Sequence, residues 1–164
     1  MEKSFTQAQF QTLFDYTWLT TRRLLDSAAS LSEAEYFEQP GYGHGSIHDL
    51  LAHTVAACHN WANALPGVPA RPRQSKTDYA DLAAVQAALD TEQAIWQAAL
   101  EGLDAAQIEG SFQALYKGRQ ETLVAWRILQ HVVLHSMQHH TEIAQLLTAK
   151  GRSPGDIDFI LYAG

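Results

Sequence analysis

The sequence predicts an all-α fold, a four-helix bundle with long loop connections and a short extended segment before the last helix. Apolar residues recur at three- and four-residue spacing in four long stretches, and glycine or proline interrupts the chain between them. Residues 108–118 instead alternate weakly between polar and apolar. At 164 residues the chain has the length of one domain, so we expect a single bundle over residues 1–164.

Composition and charge exclude several classes of protein. An apolar fraction of 46% is typical of a globular chain, and a formal charge of −7 argues against a nucleic-acid-binding face. The basic loop residues Arg71, Arg73 and Lys76 are interpreted as solvated. Cys58 is the only cysteine, which fits a reducing compartment, and no apolar run reaches 18 residues. We therefore expect a cytoplasmic protein with no membrane or nucleic-acid partner.

The first helix is predicted from about residue 4 to residue 29. Ser4 or Thr6 could cap its start, and an aromatic stripe along it should form part of the core. The connection over residues 30–45 is rich in glycine and carries His44. We interpret His44 as an exposed loop histidine; the alternative is that its side chain reaches into a site. The aromatic stripe consists of Phe10, Phe14 and Trp18.

The second helix is predicted to begin after Ser46 and to end near Leu65. Ser46 with Asp49 three residues later forms a pattern typical of a capping box. His53 lies at the edge of the apolar arc, where it could be a core residue or a ligand, whereas His48 and His59 should lie outside. The thiol of Cys58 is predicted to be a small buried hydrophobe rather than a nucleophile.

The third helix should be capped by Thr77 or Asp78 and run to about Leu103. Residues 108–118 could then form a short hairpin or an extended crossover. The C-terminal tail is too short for a domain and should fold back over an end of the bundle. The tail residues expected to provide that cover are Phe159, Ile160 and Tyr162.

The last helix is predicted over TLVAWRILQHVVLHSMQHHTEIAQLLTAKG, with Gly151 as its stop. His131, His135 and His139 follow one another at about 400° and about 6 Å, so they form a ladder on one face. His140 points about 100° away from His139. We therefore expect His140 to face solvent or a partner chain.

The histidine ladder predicts a metal site. Histidines at i and i+4 can bind one ion, but His131 and His139 start about 12 Å apart, so His135 must pair with one or the other. His53 on a neighbouring helix could supply the third nitrogen. Three imidazoles leave an open position on Zn²⁺, and Ni²⁺, Co²⁺ or Fe²⁺ are also compatible. The alternative is that the histidines are purely structural.

Three segments, SIHDLLAHTVAACHNW, LQHVVLHSMQHHTEIAQLLTAKG and PGDIDFILY, resemble the DinB-like superfamily of four-helix proteins, which is related to bacterial thiol-dependent S-transferases. The resemblance implies that His53, His135 and His139 bind a divalent metal, so it selects His139 over His131. It also implies a homodimer. This chain departs from the family at His140, Thr141 and Glu142, where relatives commonly have Arg-Gly-Gln, and at Cys58, where many have an acid.

The expected function is therefore that of a metal-dependent enzyme acting on a small-molecule substrate, either a transferase using a low-molecular-weight thiol or a related hydrolase or isomerase. Glu142 is the candidate catalytic residue, as a general base, a fourth ligand or an acceptor for an imidazole N–H; a solvated glutamate is the alternative. A non-enzymatic, stress-linked metal-binding or dimerising bundle is the competing function. Three further residues could line the pocket mouth: Tyr42, Tyr116 and Arg119.

Overall fold

The structure, a computed structural model, describes residues 6–116 and 118–162, without the side chains of Leu115 and Tyr116. Ser4, one of the two predicted caps, lies outside the described residues. Single 3₁₀ turns occur at Lys76–Asp78 and Phe159–Leu161. The other elements are α1 Gln7–Ala28, α2 Glu33–Phe37, α3 Ile47–Ala62, α4 Leu82–Glu101, α5 Ala105–Glu109, β1 Ser111–Tyr116, β2 Arg119–Val124 and α6 Ala125–Ala149.

The four long helices form the predicted all-α bundle. Helices α1 and α3 each pack against both α4 and α6, so each long helix has two long neighbours. The core lies between them, and the Phe14 and Trp96 rings stack with centroids 4.7 Å apart. Cys58 is buried there as predicted, and burial raises the pKa of its thiol to about 12. Among the described residues, no helix combines the length and hydropathy needed to cross a bilayer.

Two predicted helix starts agree with the structure. The Thr6 side chain accepts a hydrogen bond from the Gln9 backbone N–H, and α1 begins at the next residue. Ser46 and Asp49 form the expected capping box, with donor–acceptor distances of 3.0 and 3.1 Å. Gly45 precedes it at φ +124°, where an added Cβ would lie 2.6 Å from the Asp49 carboxylate. The loop therefore needs glycine there.

Two other boundaries differ from the prediction. Helix α4 begins at Leu82 with Asp81 as its cap, because Lys76–Asp78 forms a separate 3₁₀ turn. Helix α6 begins at Ala125, since Leu123 belongs to β2 and lies opposite Phe112 on β1. The hairpin itself was one of the two structures expected for this segment. An unpredicted short helix, α2, interrupts the connection after α1.

The tail folds back, but it packs against the middle of α1 rather than an end of the bundle. The rings of Phe159 and Tyr162 contact Tyr16 at centroid distances of 5.0 and 5.9 Å. Arg23 donates a hydrogen bond to the Asp156 carbonyl at 2.8 Å. The predicted cover by Ile160 is wrong, because this side chain is 87% exposed.

Candidate metal centre

Three histidine nitrogens converge where α3 packs against α6. His135 Nε2 lies 3.3 Å from His53 Nε2 and 3.3 Å from His139 Nε2. His139 is buried, His135 is half-buried and His53 is exposed, so the group has a closed floor and an open rim. We call these three residues the triad.

The triad includes His139 and not His131. His135 and His139 are four residues apart on α6, so their rings share the face that packs on α3. The His131 ring lies one turn earlier, 5.5 Å from the His135 centroid and 4.9 Å from the Trp61 centroid. His131 therefore borders the triad without joining it.

The separations within the triad fit a bound ion better than hydrogen bonds. Two nitrogens bound tetrahedrally at 2.0–2.1 Å from one ion lie about 3.3–3.4 Å apart. A neutral imidazole has a single acceptor nitrogen with one lone pair, so His135 Nε2 is poorly suited to accept from both neighbours. The three residues thus fit a divalent transition metal.

The triad rings are in the protonation state that binds metals. Burial, reinforced by the neighbouring rings of His139 and His53, lowers the pKa of His135 to about 4. Burial also lowers the pKa of His53 and of His139. All three rings are therefore neutral at pH 7, and neutral imidazole is the form that coordinates a metal.

Glu142 and His44 lie behind His139. The Glu142 carboxylate is 2.9 and 3.0 Å from His44 Nδ1 and 3.7 Å from His139 Nδ1. His139 Nδ1 is buried and has no hydrogen-bond partner among the described residues. His44 is exposed, as expected for a loop histidine, with 61% of its side chain accessible, yet its ring lies 5.6 Å from that of His139. The i, i+3 spacing indicated the position of Glu142, whereas loop residue His44 offered no periodic signal.

The prediction for His140 is wrong. The residue is fully buried, and its Nε2 lies 2.9 Å from Thr21 Oγ1. Helix α6 packs against α1 on the side about 100° from His139, so this direction leads into the bundle. Burial, with a smaller contribution from His139, lowers the pKa of His140 to about 3.

The prediction that His59 lies outside is also wrong. His59 is 4% exposed; its Nδ1 lies 2.9 Å from Glu92 Oε1 and its Nε2 2.8 Å from the Pro72 carbonyl. Arg71, predicted to be solvated, donates to both Glu92 oxygens at 2.7 and 2.9 Å. The sequence did contain a signal for this contact. Glu92 falls in the apolar register of α4, so its side chain should be buried, and a buried carboxylate requires a cationic partner. We call His59, Arg71 and Glu92 the buried ion cluster.

His48 was likewise predicted outside and is buried. Its Nδ1 lies 3.3 Å from the Tyr36 hydroxyl, and its ring packs on Phe37 at a centroid distance of 4.5 Å. Both aromatic residues belong to α2, the helix absent from the prediction. Helix α2 therefore contributes to the cover over this face of α3.

A shallow cavity of about 130 Å³ lies beside His131, between α3, β2 and α6. Tyr42 and Arg119, proposed from sequence to line the pocket mouth, are exposed, and neither lines this cavity. The Tyr116 side chain lies outside the described residues. The lining consists of Trp61, Thr122, Leu123, Val124, Arg127, Ile128 and His131.

Comparison with known families identifies the superfamily. The DinB superfamily model matches residues 16–143, a span that includes the triad, His44 and Glu142. No curated protein matches the chain. Members of the superfamily often bind metals, in agreement with a histidine group that could hold one. Because the match covers most of its length, the chain belongs to the DinB superfamily.

Proposed function

We propose that this protein is a divalent-metal-dependent enzyme, a thiol S-transferase whose metal is held by His53, His135 and His139. The observation that carries the proposal is the convergence of three Nε2 atoms at separations of 3.3 Å around His135. Ligands of this type favour Zn²⁺ or Ni²⁺, with Co²⁺ and Fe²⁺ also acceptable. Triad geometry alone supports metal binding; the thiol chemistry is inferred from the family resemblance.

The openness of the site supports catalysis over a structural role. Structural zinc sites have four protein ligands and are usually rich in cysteine, whereas catalytic sites have three and keep a position for substrate. Here the only cysteine, Cys58, is buried in the core, and the exposed rim at His53 gives a small molecule access. A bound divalent ion supplies Lewis acidity, which lowers the pKa of a coordinating thiol.

Glu142 has an orienting role in this proposal. With Nε2 of His139 directed to the metal, the remaining proton sits on Nδ1, 3.7 Å from the Glu142 carboxylate. A carboxylate behind a metal-bound histidine fixes the ring tautomer and raises the basicity of the ligand nitrogen. The nearby negative charge of Glu142 favours the tautomer with the proton on Nδ1, so its orienting role is electrostatic, and the general-base role considered from sequence is not required.

The cavity beside His131 is the proposed place for the electrophilic substrate. Its walls are largely apolar and include the side chains of Leu123, Val124 and Ile128 and the Trp61 ring. Since His131 contacts both Trp61 and His135, the cavity adjoins the triad. An apolar acceptor bound in this cavity would have its reactive carbon near the exposed side of the triad.

The test has two parts, metal content and turnover. Purified wild-type protein should contain close to one equivalent of metal by plasma emission spectroscopy, and His135→Ala should lose it, whereas the matched variant His131→Ala should keep it. Protein loaded with Zn²⁺ or Ni²⁺ is then assayed with several low-molecular-weight thiols and a chloro-aromatic or epoxide acceptor. Turnover that requires both metal and His135 supports the transferase.

Other outcomes of the same experiment are informative. Metal binding through the triad without turnover on any thiol and acceptor pair would favour the competing function, a non-enzymatic metal-binding bundle. Metal content that is unchanged in His135→Ala would contradict the site itself.

A further inference from the structure

We propose a second cation position beside the triad, formed by His44 Nδ1, His139 Nδ1 and the Glu142 carboxylate, through which a divalent transition metal reaches the triad. We call it the outer position. The inference rests on the proposed metal binding by the triad. It assigns a role to His44, which the proposed reaction does not use.

The geometry of the outer position suits a cation. The Glu142 carboxylate lies 2.9 Å from His44 Nδ1 and 3.7 Å from His139 Nδ1, and the three ligand atoms all lie within 4.8 Å of one another. A cation with bonds of about 2.0–2.2 Å to nitrogen and oxygen spans ligand atoms up to about 4.4 Å apart, which covers the two separations from Glu142, 2.9 and 3.7 Å. Imidazole and carboxylate are both ligands that divalent transition metals accept.

The buried nitrogen of His139 is an independent observation that points to a ligand. His139 is 3% exposed, and its Nδ1, like Ser136 Oγ and His140 Nδ1, is a buried polar atom without a hydrogen-bond partner among the described residues; what sets it apart is the Glu142 carboxylate 3.7 Å away. Buried polar atoms in native proteins usually have a partner. The nitrogen faces Glu142, at a distance too long for a hydrogen bond but suitable for sharing a cation.

Charge and exposure indicate that a cation from solvent binds the outer position before it reaches the triad. The triad consists of three imidazoles without a carboxylate, whereas the outer position contains Glu142. A carboxylate raises the local concentration of cations and with it the rate of association. His44 is 61% accessible, so the outer position opens to solvent while its third ligand, His139, reaches the buried floor of the triad.

His139 links the two positions and permits only one to be filled through it at a time. A neutral imidazole has one nitrogen with a lone pair and one with a proton. In the outer state Nδ1 binds the cation and Nε2 carries the proton; in the triad state Nε2 binds the cation and Nδ1–H faces Glu142. The transfer removes one proton from Nε2 and adds one to Nδ1, which faces the Glu142 carboxylate, so the net charge is unchanged.

This arrangement makes a kinetic prediction that a simple ligand role does not make. A residue used only on the path to the triad changes the rates of uptake and release by the same factor, because both directions cross the same barrier. The equilibrium affinity of the triad then stays the same. A residue that binds the metal in the final state would instead alter the affinity.

The test is stopped-flow uptake of Co²⁺, followed by its visible absorption, in wild type, His44→Ala and the control His131→Ala. Release is measured as loss of that absorption on displacement by excess Zn²⁺. We expect His44→Ala to slow uptake and release alike by about ten-fold, in line with the effect of local charge and ligand capture on association rates. His131→Ala, which removes another exposed histidine next to the triad, should retain wild-type rates.

An equilibrium measurement provides a second test. His135→Ala disables the triad but leaves the outer position, so it should retain weak Co²⁺ binding that the double variant His135→Ala/His44→Ala lacks. Thermal melts of the metal-free variants verify that each is folded.

Failure of this inference can be told apart from failure of the proposed function. Wild-type rates in His44→Ala, or a change in release without an equal change in uptake, would overturn the outer position while the triad still binds Co²⁺. Wild-type protein that takes up no Co²⁺ would contradict both proposals.

Discussion

Two of the three histidines on helix α3, His53 and His59, lie six residues apart and have opposite surroundings. Both ring nitrogens of buried His59 face oxygen acceptors, Glu92 Oε1 at 2.9 Å and the Pro72 carbonyl at 2.8 Å. The Nε2 of exposed His53 instead faces another ring nitrogen, that of His135, at 3.3 Å. The partners of the ring nitrogens, rather than the burial of the ring, therefore distinguish a candidate ligand from a structural histidine.

The buried ion cluster and the triad also differ in what they stabilise. In the cluster, Arg71 binds both oxygens of Glu92 and also donates to Asn63 Oδ1 at 3.0 Å, so the loop after α3 is fixed to α3 and α4. The side chains of the cluster thus find their partners within the protein, whereas the triad nitrogens face one another.

The largest effect is expected from a substitution that disrupts the buried ion cluster. Glu92→Ala should lower the free energy of unfolding by about 3–5 kcal/mol, because Arg71 and His59 stay buried without their anion. His135→Ala, measured on metal-free protein, should change it by less than about 1 kcal/mol, because His135 has no charged partner to lose. Urea unfolding at pH 7 measures both. Equal effects of the two substitutions would contradict the distinction between cluster and triad.

Metal addition should act on the triad alone. Zn²⁺ at a hundred times its dissociation constant should stabilise the protein by about 2.7 kcal/mol, raising the melting temperature by about 5–10 °C for a chain of this size. His53→Ala should abolish the shift and His131→Ala should keep it. Differential scanning calorimetry at pH 7.5 provides the measurement. A shift that survives in His53→Ala would place the metal elsewhere.

A smaller effect tests whether His140 belongs with the structural histidines. Thr21→Val removes the hydroxyl that contacts His140 Nε2, which should cost about 1–3 kcal/mol because a buried polar atom is left unpaired. Thr21→Ser retains the hydroxyl and serves as the control. Affinity for Zn²⁺ should be unchanged in both, as measured by calorimetric titration. A loss of affinity in Thr21→Val would show that His140 supports the metal site.

The smallest effect is the protonation of His135, which should be visible in a spectrum. Burial and the neighbouring histidine rings lower the pKa of His135 to about 4, so at pH 5.5 the ring in metal-free protein should still be neutral, whereas in the unfolded chain it should be protonated. Nitrogen-15 NMR of the imidazoles distinguishes the two forms, with urea-unfolded protein as the control. Since the unfolded ring protonates near pH 6.5, the contribution of His135 to stability is complete above that pH and is lost as pH falls toward 4.

The errors in the sequence-based predictions share a cause. Helical periodicity placed His135 beside a second histidine four residues away, because that relation is local to one helix. The same reasoning put His48, His59 and His140 outside, on the assumption that each helix buries a single narrow face. Helices α3 and α6 each pack against two long helices, and α2 covers α3 further, so the buried arc is wider than the apolar residues indicate.

Sequence alone determined what depends on neighbours within a few positions: four long helices, the capping box at Ser46, the hairpin segment and the ladder on α6. Only the tertiary structure decided which rings and charges meet. The contact of His53 with His135 joins residues 82 positions apart, and that of Arg71 with Glu92 joins residues 21 positions apart. Such contacts depend on how the helices pack against one another, and helical periodicity carries no information about the partner that a given face will meet.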